Sequence, residues 1–241
     1  QSRGGYERAM SLVSQKADIL DIGGESSRPG SEYVSEQEEI ERVVPLIEKI
    51  RKESDIPISV DTRKKNVIKA AVESGADILN DISALEDDSE IASYCASVNI
   101  PVVLMHKRGL PSDMQKNTVY DDAFEEVDSY LKKRVEYAVS CGINPKKIIV
   151  DPGIGFGKNL EANLSLIKNC GKLCDGRFPV LMALSRKTCI GQMTQKEIPE
   201  RLAGTLAADL IAVQNGATFV RVHDVAETID TLKVLGYNIL N

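Results

Sequence analysis

The feature that most constrains this chain is a short apolar run that ends in a carboxylate and then breaks. In Ile148-Ile149-Val150-Asp151-Pro152-Gly153 the β-branched residues read as a buried strand and Asp151 closes it. The proline and glycine then stop any continuation. The pattern repeats. Residues 76–79 lead into Asn80-Asp81, residues 57–60 into Asp61-Thr62-Arg63, and residues 180–184 into Ser185-Arg186-Lys187. Each buried strand hands a polar group to one common end of a sheet.

Helical patterns lie between these runs. Residues 4–16 read as a helix feeding a strand at 17–23, and Ser35 with Glu38 three residues later forms a capping box for a helix to 52. Strand 58–62 and helix 65–74, strand 77–82 and helix 88–98, then strand 101–106 and the longest helix, 121–141, follow. After Asp151 come a helix at 160–173, a strand at 179–185, a helix at 199–215, a strand at 217–223 and a closing helix to 235. Residues 24–30 and 108–118 read as loops.

Strands that alternate with helices predict parallel βαβ units, and strands apolar on both faces fit a sheet covered on both sides. With 241 residues and 42% hydrophobic content the chain can close one large core. It is therefore read as a single domain over residues 1–241, α/β in class, built as a (β/α)8 TIM barrel. A closed barrel needs eight strands and this chain opens on a helix, so the first strand and its loop are expected to be missing from it.

Composition excludes several classes of partner. The formal charge is -6 and no run of five like charges occurs, which argues against a nucleic-acid arm and a membrane patch. Trp is absent, and 7 Tyr with 4 Phe offer little to stack bases on. Five scattered cysteines point to a reduced, cytoplasmic protein rather than a disulfide framework. No apolar stretch is long enough for a membrane span, and no leader peptide is recognised.

In a barrel the active groups gather at the carboxyl ends of the strands. Here those ends carry Asp21, Asp61, Asn80, His106, Asp151, Lys187, Arg221 and His223. Carboxylates and an amide near one lysine suit a flat heterocycle with an amino-imine edge. Arg221 with His223, plus Arg28 and Arg63 in loops, suit a phosphate or diphosphate. Other residues take a plainer reading. The glycines of 153–158 lack the spacing and the Lys-Ser/Thr ending of a phosphate loop. Cys189 has no base beside it, Cys170 and Cys174 have no histidine nearby, and His106 reads as a packing and hydrogen-bonding residue.

Seven motifs carry a resemblance. They are Asp21-Ile22-Gly23-Gly24-Glu25-Ser26-Ser27-Arg28-Pro29-Gly30, Ser59-Val60-Asp61-Thr62, Asn80-Asp81-Ile82, Leu104-Met105-His106, the run from Asp151 to Lys158, Ser185-Arg186-Lys187, and Arg221-Val222-His223-Asp224-Val225. In this order and spacing they resemble the dihydropteroate synthase family. The resemblance implies condensation of 6-hydroxymethyl-7,8-dihydropterin diphosphate with 4-aminobenzoate, giving 7,8-dihydropteroate and diphosphate in folate synthesis.

By the matching positions, Asp61, Asn80, Asp151 and Lys187 would hold the pterin, with Met105 and Phe156 packing nearby. Arg63, Arg221 and His223 would hold the diphosphate, while Ser27, Arg28, Pro29 and Ser185 would serve the aminobenzoate. Asp61, Asp151, Lys187, Arg221 and His223 would be the catalytic set. The resemblance also implies Mg²⁺ and a homodimer, and places the chain in a family that is a sulfonamide target. No metal ligand is assigned, because the family's metal-side Asn has no counterpart here. Ser27 stands where Thr is common, and Lys107 and Ala183 also depart from the family pattern. The alternatives are a pterin-binding methyltransferase domain that passes a methyl group to a corrinoid protein, and a non-catalytic pterin-binding barrel.

Overall fold

The structure is a computed structural model that describes residues 2–26, 31–109 and 116–236. Ser27, Arg28 and Pro29 lie outside the described residues. The chain divides into two compact units, Gln1–Leu104 with Arg134–Ile148, and Met105–Lys133 with Ile149–Asn241.

The first unit holds α1 (Ser2–Ser14), β1 (Leu20–Gly23), α2 (Glu36–Arg51), β2 (Ile58–Asp61), α3 (Lys65–Glu73), β3 (Ile78–Asp81) and α4 (Ile91–Val98). It ends within β4 (Val102–Met105). The strands pair in parallel in the order β1-β2-β3-β4, with Gly23 opposite Asp61, Asp61 opposite Asn80, and Asn80 opposite Val103. Side chains alternate along a strand, so this register puts Asp21, Ser59, Asp61 and Asn80 on one face. Ile22, Val60 and Leu79 point to the other. Val43, Ile47 and Ile50 of α2 and Val67, Ile68 and Ala71 of α3 are fully buried.

The second unit holds most of β5 (Ile148–Asp151), α6 (Leu160–Asn169), β6 (Leu181–Met182), α7 (Thr188–Thr194), α8 (Leu202–Gln214), β7 (Phe219–Val220) and α9 (Val225–Val234). The N-terminal part of α5 (Ala123–Ser140) belongs to it as well. Val150 bridges Val180 and β6 pairs with β7, both in parallel. Val127, Leu131, Val150, Ile154, Leu166, Met182, Leu184, Ile190 and Ala212 form its core.

Seven strands alternate with helices among the described residues, as the sequence predicts. Several expected boundaries move, and each for a local reason. The strand expected at 17–23 starts only at Leu20, because α1 ends in a turn that needs Lys16 left-handed at φ 71°. The helix expected over 160–173 stops at Asn169 and a 3₁₀ segment, Cys170–Gly176, follows. There Asp128 accepts the Cys174 N–H at 2.6 Å, and a Cβ on Gly171 would meet the Asn215 carbonyl oxygen at 2.4 Å. A long-range contact ends this helix. Strands expected at 179–185 and 217–223 shrink to two residues each, and α7, too short to show a period, is additional.

The capping box forms by half. Ser35 accepts the Glu38 N–H at 3.2 Å, while the Glu38 carboxylate pairs with Arg42 one turn on. The helix expected from 88 begins at Ile91. Asp88 instead accepts the backbone N–H groups of Lys65 and Glu90, at 2.7 and 3.0 Å.

Candidate active site

In the first unit the strand ends gather two carboxylates and an amide. Asn80 is buried, and its amide nitrogen lies 3.3 and 3.4 Å from the two carboxyl oxygens of Asp21. Asp61 stands beside Asn80 in the register. Asp21 therefore orients Asn80 toward the face that Asp61 shares, rather than capping a helix. Asp81 points to the opposite face, where it accepts from the N–H and hydroxyl of Ser83 and from the Leu85 N–H. Burial pushes its carboxyl up to about 6, against those hydrogen bonds.

Past β2 lies a charged cluster that the sequence reading missed. Arg63 pairs with Glu25 at 2.8 Å and with Asp87 at 2.6 Å. Lys64 pairs with Glu25 and with Glu39, the latter at 2.7 Å. Burial opposes the charge on Glu25, but the hydrogen bonds from Lys64 and Arg63 outweigh it and hold the carboxyl below the usual range. Nothing local in Thr-Arg-Lys signals this cluster, whose partners lie between 24 and 39 residues away in sequence.

The second unit carries the Asp151 loop. Asp151 is 4% exposed, and its carboxylate accepts the Gly153 N–H at 2.7 Å. Gly153 has φ 68°, and a Cβ there would lie 1.8 Å from the His106 carbonyl oxygen, so only glycine fits. Burial raises the Asp151 carboxyl above its ordinary range, while Lys187, the Gly153 N–H, Lys158 and Arg221 pull it back. Lys187 donates to the Ile154 carbonyl at 2.5 Å and sits 5.0 Å from the centroid of the Phe156 ring. Burial brings its amine down to about 8, with Asp151 opposing the shift and Arg221 adding to it. Lys187 is the residue here whose charge changes just above neutrality.

Lys158 is buried and turned inward. Its amine lies 2.9 Å from the Gly153 carbonyl oxygen, 3.0 Å from that of Phe156 and 2.9 Å from His106 Nδ1. A phosphate loop presents N–H groups and a free lysine to its ligand. This loop wraps carbonyls around its lysine, which excludes the phosphate-loop reading. His106 packs edge-on against Tyr130, with ring centroids 4.9 Å apart, and burial beside Lys158 pushes it down to about 2. It is the packing and hydrogen-bonding residue expected.

Ser185 Oγ lies 2.8 Å from His223 Nδ1, so the ends of the β6 and β7 motifs meet. Arg186, left-handed at φ 56°, makes a two-pronged pair with Asp224 at 2.8 and 2.9 Å. Arg221 donates its backbone N–H to the Met182 carbonyl, and its side chain and that of His223 are exposed. Met105 is buried at the end of β4.

The strand ends of the first unit thus offer carboxylates and an amide, and those of the second a carboxylate and one titrating lysine. Comparison with known proteins agrees. The model of the family described as "Pterin binding enzyme" matches residues 2–223. The dihydropteroate synthase of Haemophilus influenzae is 43% identical over 223 residues, covering 92% of this chain and 81% of that protein. Among solved structures, Xanthomonas albilineans dihydropteroate synthase with 4-aminobenzoic acid superposes with a TM-score of 0.92 at 42% identity. It covers 98% of this chain and 84% of that one. The same enzyme in complex with 7,8-dihydropteroate gives a TM-score of 0.86 at 39% identity, over 96% of this chain and 82% of that one. With these neighbours the α/β class resolves to the (β/α)8 barrel. The chain belongs to the dihydropteroate synthase family of pterin binding enzymes.

Proposed function

We propose that the chain acts as one pterin-binding barrel domain and condenses 6-hydroxymethyl-7,8-dihydropterin diphosphate with 4-aminobenzoate, releasing diphosphate. It is a transferase of the pterin-methyl group. The observation that carries this reading is the buried Asp151 carboxylate, aimed by the Gly153 N–H and attracted by Lys187 without touching it. Such a site suits the amino-imine edge of a pterin, because a carboxylate accepts from two adjacent N–H groups and a lysine donates to ring nitrogen or oxygen. In this assignment Asp61 and Asn80 also serve the pterin, with Met105 and Phe156 against its faces.

When the bond from the methylene carbon to the diphosphate oxygen breaks, positive charge grows on that carbon and spreads into the ring. Fixed carboxylates at Asp61 and Asp151 stabilise that charge, and each such preorganised contact is worth roughly 2 to 4 kcal/mol. The amine nitrogen of 4-aminobenzoate then forms the new bond to carbon and loses a proton. No enzyme nucleophile is needed. Arg221 and His223 have exposed side chains suited to the leaving diphosphate. Arg63, which pairs with Glu25 and Asp87, completes the set assigned to the diphosphate. Ser185, beside His223, serves the aminobenzoate together with Ser27, Arg28 and Pro29.

Among the described residues no three His, Cys, Asp or Glu side chains gather to cage a cation. The described side chains offer no such cage, and Mg²⁺ enters this reading as a counter-ion carried by the diphosphate. Five free cysteines support a reducing compartment such as the cytoplasm. For the homodimer we favour α8, which is apolar on both its buried face (Ala208, Ala212) and its exposed face (Ile211).

The test is diphosphate release from the pterin diphosphate with and without 4-aminobenzoate. Release that depends on the amine, matched mole for mole by dihydropteroate, is expected. Bound pterin with no amine-dependent release would overturn the assignment.

A further inference from the structure

The run from Asp151 to Lys158 spends its backbone on the protein itself. The Gly153 and Phe156 carbonyls take the Lys158 amine at 2.9 and 3.0 Å, and the Ile154 carbonyl takes Lys187. The Gly157 carbonyl takes the Tyr120 hydroxyl, and the Gly155 N–H goes to the Asn163 amide oxygen, both at 2.9 Å. Two lysines thus share one loop and hold neighbouring carbonyls of it. Lys158 is 4% exposed. Burial drives its amine strongly toward the neutral form, with Asp151 opposing the shift and Lys187 and Arg108 adding to it. In that form its two protons serve the Gly153 and Phe156 carbonyls, and its lone pair faces Nδ1 of the neutral His106 at 2.9 Å. With the imidazole proton on Nδ1, these contacts are satisfied without burying a charge.

The amine reaches the site through single bonds. Gly153 gives its carbonyl to Lys158 and its N–H to the Asp151 carboxylate at 2.7 Å, so the residue that aims Asp151 is itself held by Lys158. The next residue, Ile154, holds Lys187. A loop that turned at Gly153 would release the Asp151 carboxylate and shift the Lys187 anchor together. The strand ladder cannot prevent this, because β5 ends at Asp151. A side chain needed here only for packing could be Met, of similar volume. What the amine adds is two donors aimed at two carbonyls of the loop.

We propose that Lys158 is a positioning residue for the pterin site: its amine fixes the loop so that Asp151 and Lys187 face a ligand without forming an ion pair with each other. The ligand rests on the synthase reading, whereas the separation of the two charges belongs to the free protein.

The test compares the whole chain with Lys158→Met and Lys158→Gln. Glutamine offers the set of a neutral amine, two N–H donors and an acceptor, on a slightly shorter side chain. In Lys158→Met the loosened loop lets Lys187 close on Asp151. Of the groups that act on Lys187, Asp151 and Cys189 raise it and Arg221 lowers it, and replacing a neutral Lys158 removes no charge. The Lys187 titration, followed by NMR at Cε in the free protein, therefore moves up from about 8, to about 9 or above. KM for the pterin diphosphate rises about tenfold, while KM for 4-aminobenzoate stays within about twofold. Lys158→Gln leaves the titration at about 8 and recovers most of the pterin affinity. A titration unmoved in Lys158→Met, or moved equally in both variants, overturns the proposal. Where Lys158→Met fails to fold by circular dichroism, a folded Lys158→Gln with an unmoved titration supports the proposal and a moved one overturns it. A wild-type chain that releases no diphosphate with 4-aminobenzoate removes the synthase reading instead, and the Lys187 titration then decides the positioning role on its own.

Discussion

Two charged clusters in this protein solve opposite problems. Around Lys64 every cation touches its carboxylates: Arg63 to Glu25 and Asp87, Lys64 to Glu25 and Glu39. Contact deepens the charged state. Burial alone would discharge Arg63 and Lys64, yet the hydrogen bonds from their acids outweigh it and push both groups up. Around Asp151 the charges are held apart. Asp151 bonds to a backbone N–H, Lys187 bonds to a backbone carbonyl, and burial drives each toward its neutral form. Paired charges hold a backbone still, whereas buried charges kept out of contact retain their capacity for a ligand.

That contrast can be broken most forcefully at Asp151. Asp151→Asn keeps the shape and the acceptor for Gly153 but removes the charge, and kcat/KM is expected to fall on the order of a hundredfold. Full turnover in that variant would put Asp151 among the structural residues with Glu39. The folded protein should meanwhile remain intact by circular dichroism.

The next effect is a pH limb. Lys187 titrates at about 8, so it carries its charge below that pH and loses it above. If the charge holds the pterin, kcat/KM declines by about tenfold per pH unit well above the pKa. Lys187→Arg keeps the charge at every accessible pH and should remove that limb, whatever it does to the rate. A limb that persists in the arginine variant belongs to another group.

An effect on stability rather than on turnover sharpens the comparison with a charge that has neither kind of support. Asp209 on α8 is 1% exposed, and neither carboxyl oxygen has a hydrogen-bond partner. Burial raises it to about 7. Its folded value lies above its unfolded one, so the folded state holds an extra proton between about pH 4 and 7. The stability this contributes is full below that window and is lost as pH rises through about 7. The slope is on the order of 1 kcal/mol per pH unit. In Asp209→Asn the unfolding free energy, followed by denaturant titration from pH 5 to 8, should lose this slope. An unchanged slope would assign it to other groups.

Much of this was legible in the residues themselves. Apolar runs closed by Asp61, Asn80, Asp151 and Ser185-Arg186-Lys187 announced parallel strands with polar ends, and strands end there or close by. The glycines at 153, 155 and 157 announced a tight loop, and all three have positive φ. The roles that depend on distant partners were not legible. Lys158, whose run lacks the pattern of a phosphate loop, is the internal anchor of its own loop, a role that nothing local announces. Arg63, assigned to the diphosphate by its motif, also pairs with two acids that no local pattern announces.

What the sequence determined by itself is the order of strands and helices, the strand-end chemistry and the family, because periodicity and short motifs are local properties that the backbone obeys wherever the segment lies. Only the tertiary structure decided which charges touch. Asp128 accepting the Cys174 N–H within the 3₁₀ segment, Lys64 joining Glu25 to Val34, and Lys187 reaching the Ile154 carbonyl rather than a carboxylate all link residues far apart in the chain. Such pairings leave no trace in composition or spacing. They arise because a folded interior removes water, and each buried polar group must then find whatever partner the packing brings within reach.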